Sequence, residues 1–115
     1  MNLEIKALVV DEALAKDGGI VQIRVDIGER NNAGAESFYF VAASPSGLAN
    51  EVSNGGFKLL RGYILMSDFD INLVRRSIEN LIDHARSRKT WEEVVAFFNR
   101  YGVYDSEDLD GKHFP

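Results

Sequence analysis

The spacing of apolar residues changes once along this chain, from every second residue to every third or fourth, and that change limits the possible fold classes. From residue 21 to 27 apolar and polar residues alternate, with Val21, Ile23, Val25 and Ile27 in the odd positions. This alternation predicts a β-strand with one buried and one solvated face, as in an antiparallel sheet that is covered on one side. Similar apolar stretches predict further strands at 3–10, 37–43 and 57–66, with a helical turn at 48–52.

The last third of the chain has the spacing of two amphipathic helices. The first apolar stripe, after Asp70 as the predicted N-cap, comprises Ile71, Val74, Ile78, Leu81, Ile82 and Ala85. The second helix is predicted to begin with a capping box, in which Thr90 is the N-cap and Glu93 is the third helical residue. Its predicted inner face comprises Trp91, Val94, Val95, Phe98 and Tyr101. Gly102 then predicts a left-handed helix end.

The order of these elements predicts the fold class. Because strands come first and helices last, we expect an α+β fold, with a four-stranded antiparallel sheet followed by two C-terminal helices packed on one face. The chain has 115 residues, the size of one domain, and 45% of them are hydrophobic, which is enough for a core. We therefore expect a single domain over residues 1–115, with an acidic C-terminal tail from about residue 103.

The residue types exclude several kinds of chemistry. The chain has no cysteine, so it can form no disulfide, thiolate metal site or cysteine nucleophile. It has no glycine-rich phosphate-binding motif, and neither His84 nor His113 has a second histidine at the spacing of a helical zinc site. We therefore expect no catalytic residue, no cofactor and no metal. A small enzyme is an alternative that needs a deep pocket lined by His84 with Asp68 or Asp83.

The charge of the chain bears on its partners and its location. The net charge of −5 disfavours nucleic acid and mildly favours a basic partner. The segment Met1–Lys6 lacks the features of a secretory signal, and no apolar run approaches the ~20 residues that span a bilayer. We expect a cytoplasmic binding protein that contacts no membrane. A structural or oligomerisation module is a further alternative, and it would show a large symmetric interface through a sheet edge.

The acidic C-terminal end is the first candidate for a functional site. Four carboxylates, those of Asp105, Glu107, Asp108 and Asp110, occur within six residues beside Tyr104. Carboxylates accept paired hydrogen bonds from arginine, and tyrosine provides a rigid contact surface. This end is therefore either a recognition surface for an arginine- or lysine-rich partner or a solvated chain end.

The run from Phe38 to Asp108 resembles the immunity protein 8 family of bacterial polymorphic-toxin and contact-dependent inhibition systems. The residues that carry the resemblance are Phe38-Tyr39-Phe40-Val41 with Ser44-Pro45-Ser46-Gly47-Leu48, Gly62-Tyr63-Ile64-Leu65-Met66 with Phe69-Asp70, Thr90-Trp91-Glu92-Glu93-Val94, and Arg100-Tyr101 with Tyr104-Asp105-Ser106-Glu107-Asp108. Tyr104 stands where the family pattern has Trp, and Ser106 where it has Phe.

The resemblance implies an immunity-protein-like domain that acts as a cytosolic antitoxin. Such a protein binds and blocks the C-terminal toxin domain of one cognate effector, and many of these toxins are nucleases. A nuclease attracts a polyanion, so its active cleft is basic, and an acidic inhibitor can mimic the phosphates. The resemblance therefore implies a basic toxin domain as the partner, bound through Tyr104, Asp105, Glu107, Asp108 and Asp110.

Overall fold

Three long strands form the main part of the sheet. In the computed structural model, which describes residues 1–11 and 19–105, they are β1 (Leu3–Val10), β2 (Ile20–Glu29) and β3 (Glu36–Ala43). Each pairs antiparallel with the next, and Val25 lies opposite Phe38 in the register of β2 and β3. The alternating apolar residues of β2 are at most 1% exposed, so the predicted burial of one face is confirmed.

Two short strands share the second edge of β3. β4 (Tyr63–Leu65) runs parallel to the last residues of β3, and β5 (Val103–Tyr104) runs antiparallel to its first half. The sheet is therefore mixed and five-stranded, in the order β1-β2-β3-β4 with β5 beside β3. Because Tyr104 lies opposite Phe38 and Tyr63 lies opposite Val41, the two short strands follow each other along one edge.

The fourth strand differs from its prediction in length and direction. The sequence predicts an antiparallel strand over 57–66, whereas β4 has three residues and runs parallel to β3. The reason is α1 (Pro45–Gly55), a helix of 11 residues where the sequence predicts only a turn at 48–52. A helix of this length carries the chain back along the sheet before the next strand begins, and such crossovers join parallel strands.

Two helices follow β4 and cover one face of the sheet. α2 (Ile71–Ala85) begins after Asp70, whose side chain accepts a backbone hydrogen bond at 2.9 Å. α3 (Trp91–Phe98) begins after Thr90, whose hydroxyl oxygen accepts a hydrogen bond from the Glu93 N–H at 3.2 Å. Both predicted N-caps are confirmed. Each satisfies an amide that the start of a helix leaves without a partner, a contribution of about 1 kcal/mol.

The hydrophobic core lies between these two helices and the covered face of the sheet. It includes Leu3, Val25, Ile27, Phe38, Phe40, Val74, Ile78, Ile82, Val94 and Phe98. By contrast, Gly47 is the one buried residue of α1, so this helix stands apart from the core. The predicted α+β class is confirmed. Within the described part of the chain, no helix has both the length and the apolar character to cross a bilayer.

The end of α3 departs from its prediction in two respects. Tyr101, predicted for the inner face, is 45% exposed, and Phe97 is buried instead, because the helix ends at Phe98 and the chain then leaves the helical path. Gly102, predicted to be left-handed, does not have a positive φ. It is required for a different reason, since a Cβ on Gly102 would lie 2.7 Å from Cζ of the buried Phe40 ring.

Candidate functional site

The predicted site lies partly within the described structure. Tyr104 ends β5, and Asp105 follows it directly and is half-buried. Glu107, Asp108 and Asp110 lie outside the described residues. The structure therefore describes the beginning of the acidic tail, and it shows which parts of the fold surround that beginning.

Tyr104 is held in place from three directions. Its ring packs on the buried Phe38 ring, with the two centroids 5.4 Å apart. Its backbone N–H donates to the side-chain oxygen of Asn99 at 3.0 Å, and its hydroxyl donates to a carboxylate oxygen of Glu36 at 2.7 Å. A tyrosine fixed in this way loses little further side-chain entropy when a partner binds, which suits it to recognition. It also brings the carboxylate of Glu36 to the start of the acidic tail.

A cleft of about 230 Å³ lies beside this tyrosine–carboxylate pair, between the end of the sheet and the start of α3. Its lining consists of Glu29, Asn32, Gly34, Ala35, Glu36 and Trp91. Glu29 ends β2 and Glu36 begins β3, so the two carboxylates come from the two sides of one hairpin. Trp91 begins α3. We call this feature the acidic cleft, and define it by Glu29, Glu36 and Trp91 of its lining together with Tyr104, which donates to Glu36.

The hairpin loop beside the acidic cleft has a fixed conformation. Asn31 has a φ of 69°, a left-handed conformation that asparagine tolerates better than most residues. The N–H of Asn32 donates to the carbonyl of Glu29 at 3.1 Å, and the carbonyl of Asn32 accepts from the Lys6 ammonium at 2.8 Å. The N–H of Arg30 donates to the carbonyl of Asn2 at 2.8 Å. These bonds to β1 and its start hold the carboxylates of the hairpin in a defined position.

The side chains that line the acidic cleft carry negative charge, and the Lys6 ammonium lies behind the lining on the carbonyl of Asn32. Its two described lining carboxylates lie near the first turn of α3, which adds Glu92 and Glu93. None of the described lining residues is basic. Carboxylates beside an indole ring favour a cation, because the ring face attracts positive charge and the carboxylates accept its hydrogen bonds. The acidic cleft can therefore receive an arginine or lysine side chain.

The size of the acidic cleft argues against a small-molecule pocket. Pockets for small molecules and cofactors commonly have volumes of roughly 300–1,000 Å³ and are mostly apolar. The cleft has about 230 Å³ and two carboxylates in its lining. It suits a side chain of a protein partner better than a whole small molecule.

The residues of the alternative enzyme site are not brought together around a pocket. His84 is exposed, and its Nδ1 lies 2.9 Å from the carbonyl oxygen of Asn80 in the same helix. Asp83 pairs with Arg86 at 3.2 Å, again within or next to α2, and Asp68 is exposed. Among the described residues, no group of three or more His, Asp or Glu side chains is arranged to hold a metal ion.

Sequence reasoning missed the two glutamates of the acidic cleft. Glu29 continues the odd register of β2, and Glu36 shares a face with Phe38 and Phe40. A carboxylate at a core-facing register position is unusual, because its charge must find water or a hydrogen-bond donor. That anomaly could have marked both positions. The contribution of Trp91 was not visible, because its register in α3 equally fits a core residue.

The chain matches a known protein family over nearly its whole length. The model of that family, described as Immunity protein 8, matches residues 5–109. This range includes every described strand and helix except the first residues of β1. No curated protein and no solved structure matches the chain.

Proposed function

Because this chain belongs to the immunity protein 8 family, we propose that it binds and neutralises the C-terminal toxin domain of one cognate contact-dependent inhibition or polymorphic-toxin effector. Membership of this family implies that the chain is an immunity protein against a polymorphic toxin, which indicates a non-enzymatic role. The proposal adds three things to this identity. The toxin is a nuclease, the chain works in the cytoplasm, and the acidic cleft with the acidic tail from about residue 103 is where the toxin binds.

One observation supports this binding surface: the first part of the acidic tail contacts the acidic cleft. The hydroxyl of Tyr104 donates to Glu36 at 2.7 Å, so the residue from which the tail continues is joined to the lining of the cleft. The family-like segments that contain Trp91 and Tyr104 are separate in the sequence, but Trp91 lines the cleft and Tyr104 donates to Glu36 of the same lining. An acidic, partly preformed surface of this kind suits a basic protein partner.

The negative charge supports a nuclease as the target. A nuclease needs a positive potential in its active cleft, because its substrate carries one phosphate per nucleotide. An inhibitor with carboxylates at fixed positions can occupy that cleft in place of the phosphates. Such charge pairing also speeds association, and the acceleration falls as salt screens the two surfaces. The net charge of −5 agrees with this mode of binding.

The first test removes the described carboxylates of the surface without changing their shape. In the triple variant Glu29→Gln, Glu36→Gln and Asp105→Asn, we expect the affinity for the C-terminal domain of the polymorphic toxin encoded next to this chain to fall at least roughly tenfold, about 1.4 kcal/mol. The change Glu36→Gln preserves the local structure, because a glutamine side-chain oxygen still accepts the hydrogen bond of Tyr104. Isothermal titration calorimetry at low and at moderate salt measures the change. The affinity of the wild type should fall more between the two salt concentrations than that of the triple variant.

A matched control removes the same number of charges elsewhere. The variant Asp68→Asn, Glu79→Gln and Asp83→Asn changes three exposed carboxylates at or before α2. It should bind the toxin domain within about threefold of wild type. Equal losses in both variants would mean that only the total charge matters, and the proposed surface would be wrong.

A second arm tests the tail. The quadruple variant changes Asp105, Glu107, Asp108 and Asp110 each to alanine. Its affinity for the same toxin domain should fall, and it should no longer protect cells that express the toxin. If affinity were unchanged, the tail would not be part of the interface, although the chain would still be an immunity protein. If the wild type did not bind the toxin domain at all, the proposed function itself would fail.

A further inference from the structure

The segment that follows α1 exposes large apolar side chains. Phe57 is 74% exposed, Leu59 is 82% exposed and Leu60 is 50% exposed, and Leu65 on β4 is 62% exposed. The sequence predicts this segment as part of a strand, in which half of these side chains would be buried. We call residues 57–60 together with Leu65 the apolar loop. Four large exposed apolar side chains within nine residues differ from the single scattered ones that are ordinary on a protein surface, and such groups can mark a binding site.

The apolar loop is anchored at its base. Lys58 pairs with Glu51 of α1 at 3.2 Å, and its ammonium lies 5.6 Å from the centroid of the Tyr63 ring. The hydroxyl of Tyr63 donates to the same Glu51 carboxylate at 3.0 Å, and its N–H donates to the carbonyl of Leu60 at 3.3 Å. The charged and polar groups thus hold the backbone in place, while the apolar side chains point into solvent.

A chain of hydrogen bonds connects the apolar loop with the acidic cleft. Arg61, the residue after the loop, donates to the Asn99 side-chain oxygen at 2.8 Å and to the Gly102 carbonyl at 3.3 Å. The same Asn99 oxygen accepts the Tyr104 N–H at 3.0 Å. Gly62 lies beside Gly102, so the start of β4 meets the start of β5. The start of β4, which follows the loop, and β5, from which Tyr104 reaches the cleft, are therefore neighbours on one edge of the sheet.

The acidic cleft alone is too small for a stable protein complex. Stable interfaces bury about 800 Å² on each partner, with apolar residues at the centre and polar residues at the border. A cleft of about 230 Å³ that is lined by two carboxylates provides polar border surface and little apolar central surface. The apolar loop, which is joined to the cleft through Arg61, Asn99 and Tyr104, provides the apolar surface.

We propose that the apolar loop is the hydrophobic centre of the toxin-binding surface, and that its occupant is an apolar patch of the toxin domain beside the basic site that the acidic cleft engages. This inference rests on the proposed function. It adds a second contact region, of different chemistry, on which the strength of the complex depends. Truncation of a well-placed apolar side chain at the centre of an interface commonly weakens binding more than loss of a border charge.

The test replaces the two most exposed side chains of the loop. In the double variant Phe57→Ser and Leu59→Ser, we expect affinity for the same toxin domain, measured by titration calorimetry, to fall at least roughly thirtyfold. Thermal unfolding should be unchanged, because neither side chain is buried. The matched control is Val9→Ser, an exposed apolar residue of β1 at the opposite edge of the sheet, which should bind within about threefold of wild type.

The outcomes separate this inference from the proposed function. If the double variant binds as the wild type does while the triple carboxylate variant binds weakly, the apolar loop is not in the interface and only this inference fails. If the double variant unfolds more easily, Leu59→Ser alone, which alters a side chain that is 82% exposed, gives the affinity measurement. A second copy of the chain is the other possible occupant. If sedimentation shows a wild-type dimer that the double variant dissociates with no loss of toxin affinity, the inference is overturned.

Discussion

The acidic cleft and the apolar loop are joined through β5 and the start of β4, and they are built in opposite ways. At the cleft, Tyr104 packs on Phe38, a residue with 0% exposure, and donates to Glu36, so this surface is fixed directly by the core. At the loop, Phe57 and Leu59 remain exposed, and only their backbone and polar neighbours are anchored. The cleft is a polar surface whose side chains are already held in position, and the loop is an apolar surface that the rest of the fold does not cover.

This contrast shows how a small domain can present two kinds of contact without losing stability. Carboxylates at the border of a core need hydrogen bonds to remain there, so the cleft depends on packing beneath it. Apolar side chains in the loop need no partner in the free protein, so they contribute little to its folding. Substitutions in the core beneath the cleft should therefore lower stability, whereas substitutions in the loop should leave stability unchanged.

The largest expected difference in stability is between Phe38→Ala and Leu59→Ala. Phe38 is completely buried below Tyr104, so its truncation should lower the free energy of unfolding by about 3–5 kcal/mol. Leu59 is 82% exposed, and its truncation should change that free energy by less than about 0.5 kcal/mol. Urea denaturation of both variants measures the two values. Similar losses would contradict the contrast between a core-supported cleft and an uncovered loop.

A smaller effect is expected at the junction of the two regions. Gly102→Ala places a Cβ 2.7 Å from Cζ of the Phe40 ring, so the ring or the backbone must shift. We expect a loss of about 1–3 kcal/mol from overpacking. Gly55→Ala, at the end of α1, is the control because its Cβ would meet nothing within 4 Å, and it should be neutral or slightly stabilising. Thermal unfolding compares the two, and a neutral Gly102→Ala would show that the junction is loosely packed.

The smallest effect concerns the base of the apolar loop at high pH. Burial raises the pKa of Tyr63 above its usual value near 10, and the hydrogen bond with Tyr63 raises the pKa of Lys58. A group with a raised pKa in the folded state contributes stability that is full below its unfolded pKa and is lost as pH rises through its folded pKa. Both groups should therefore contribute in full at neutral pH, and stability should fall above about pH 10 as their contribution is lost.

Two tyrosine variants isolate that contribution. Tyr63→Phe removes the phenol that contacts Glu51 and Lys58, so the fall in melting temperature above about pH 10 should become shallower. Tyr101→Phe changes an exposed ring and should leave the alkaline fall as it is in wild type. The same slope in the Tyr63→Phe variant as in wild type would show that the base of the loop does not respond to ionisation of Tyr63.

Local patterns in the sequence determined most of the secondary structure. The alternation from Val21 to Ile27 was sufficient to predict β2 and its buried face, and the capping residues Asp70 and Thr90 were sufficient to predict where α2 and α3 begin. These predictions succeeded because side-chain periodicity and capping act between residues that are a few positions apart. The family resemblance was likewise carried by short segments in a fixed order.

Tertiary contacts alone set the direction of β4, the exposure of Phe57 and Leu59, and the cleft around Glu36. Residues 57–66 have the apolar character of a strand, but β5 occupies the edge of β3 next to β4, and α1 delivers the chain to that edge in a parallel direction. Glu36 belongs to the proposed binding surface because Tyr104, 68 residues later in the chain, donates to it. Trp91 belongs to it because of where α3 packs. Such contacts depend on which distant segments share an edge, and no local pattern encodes that.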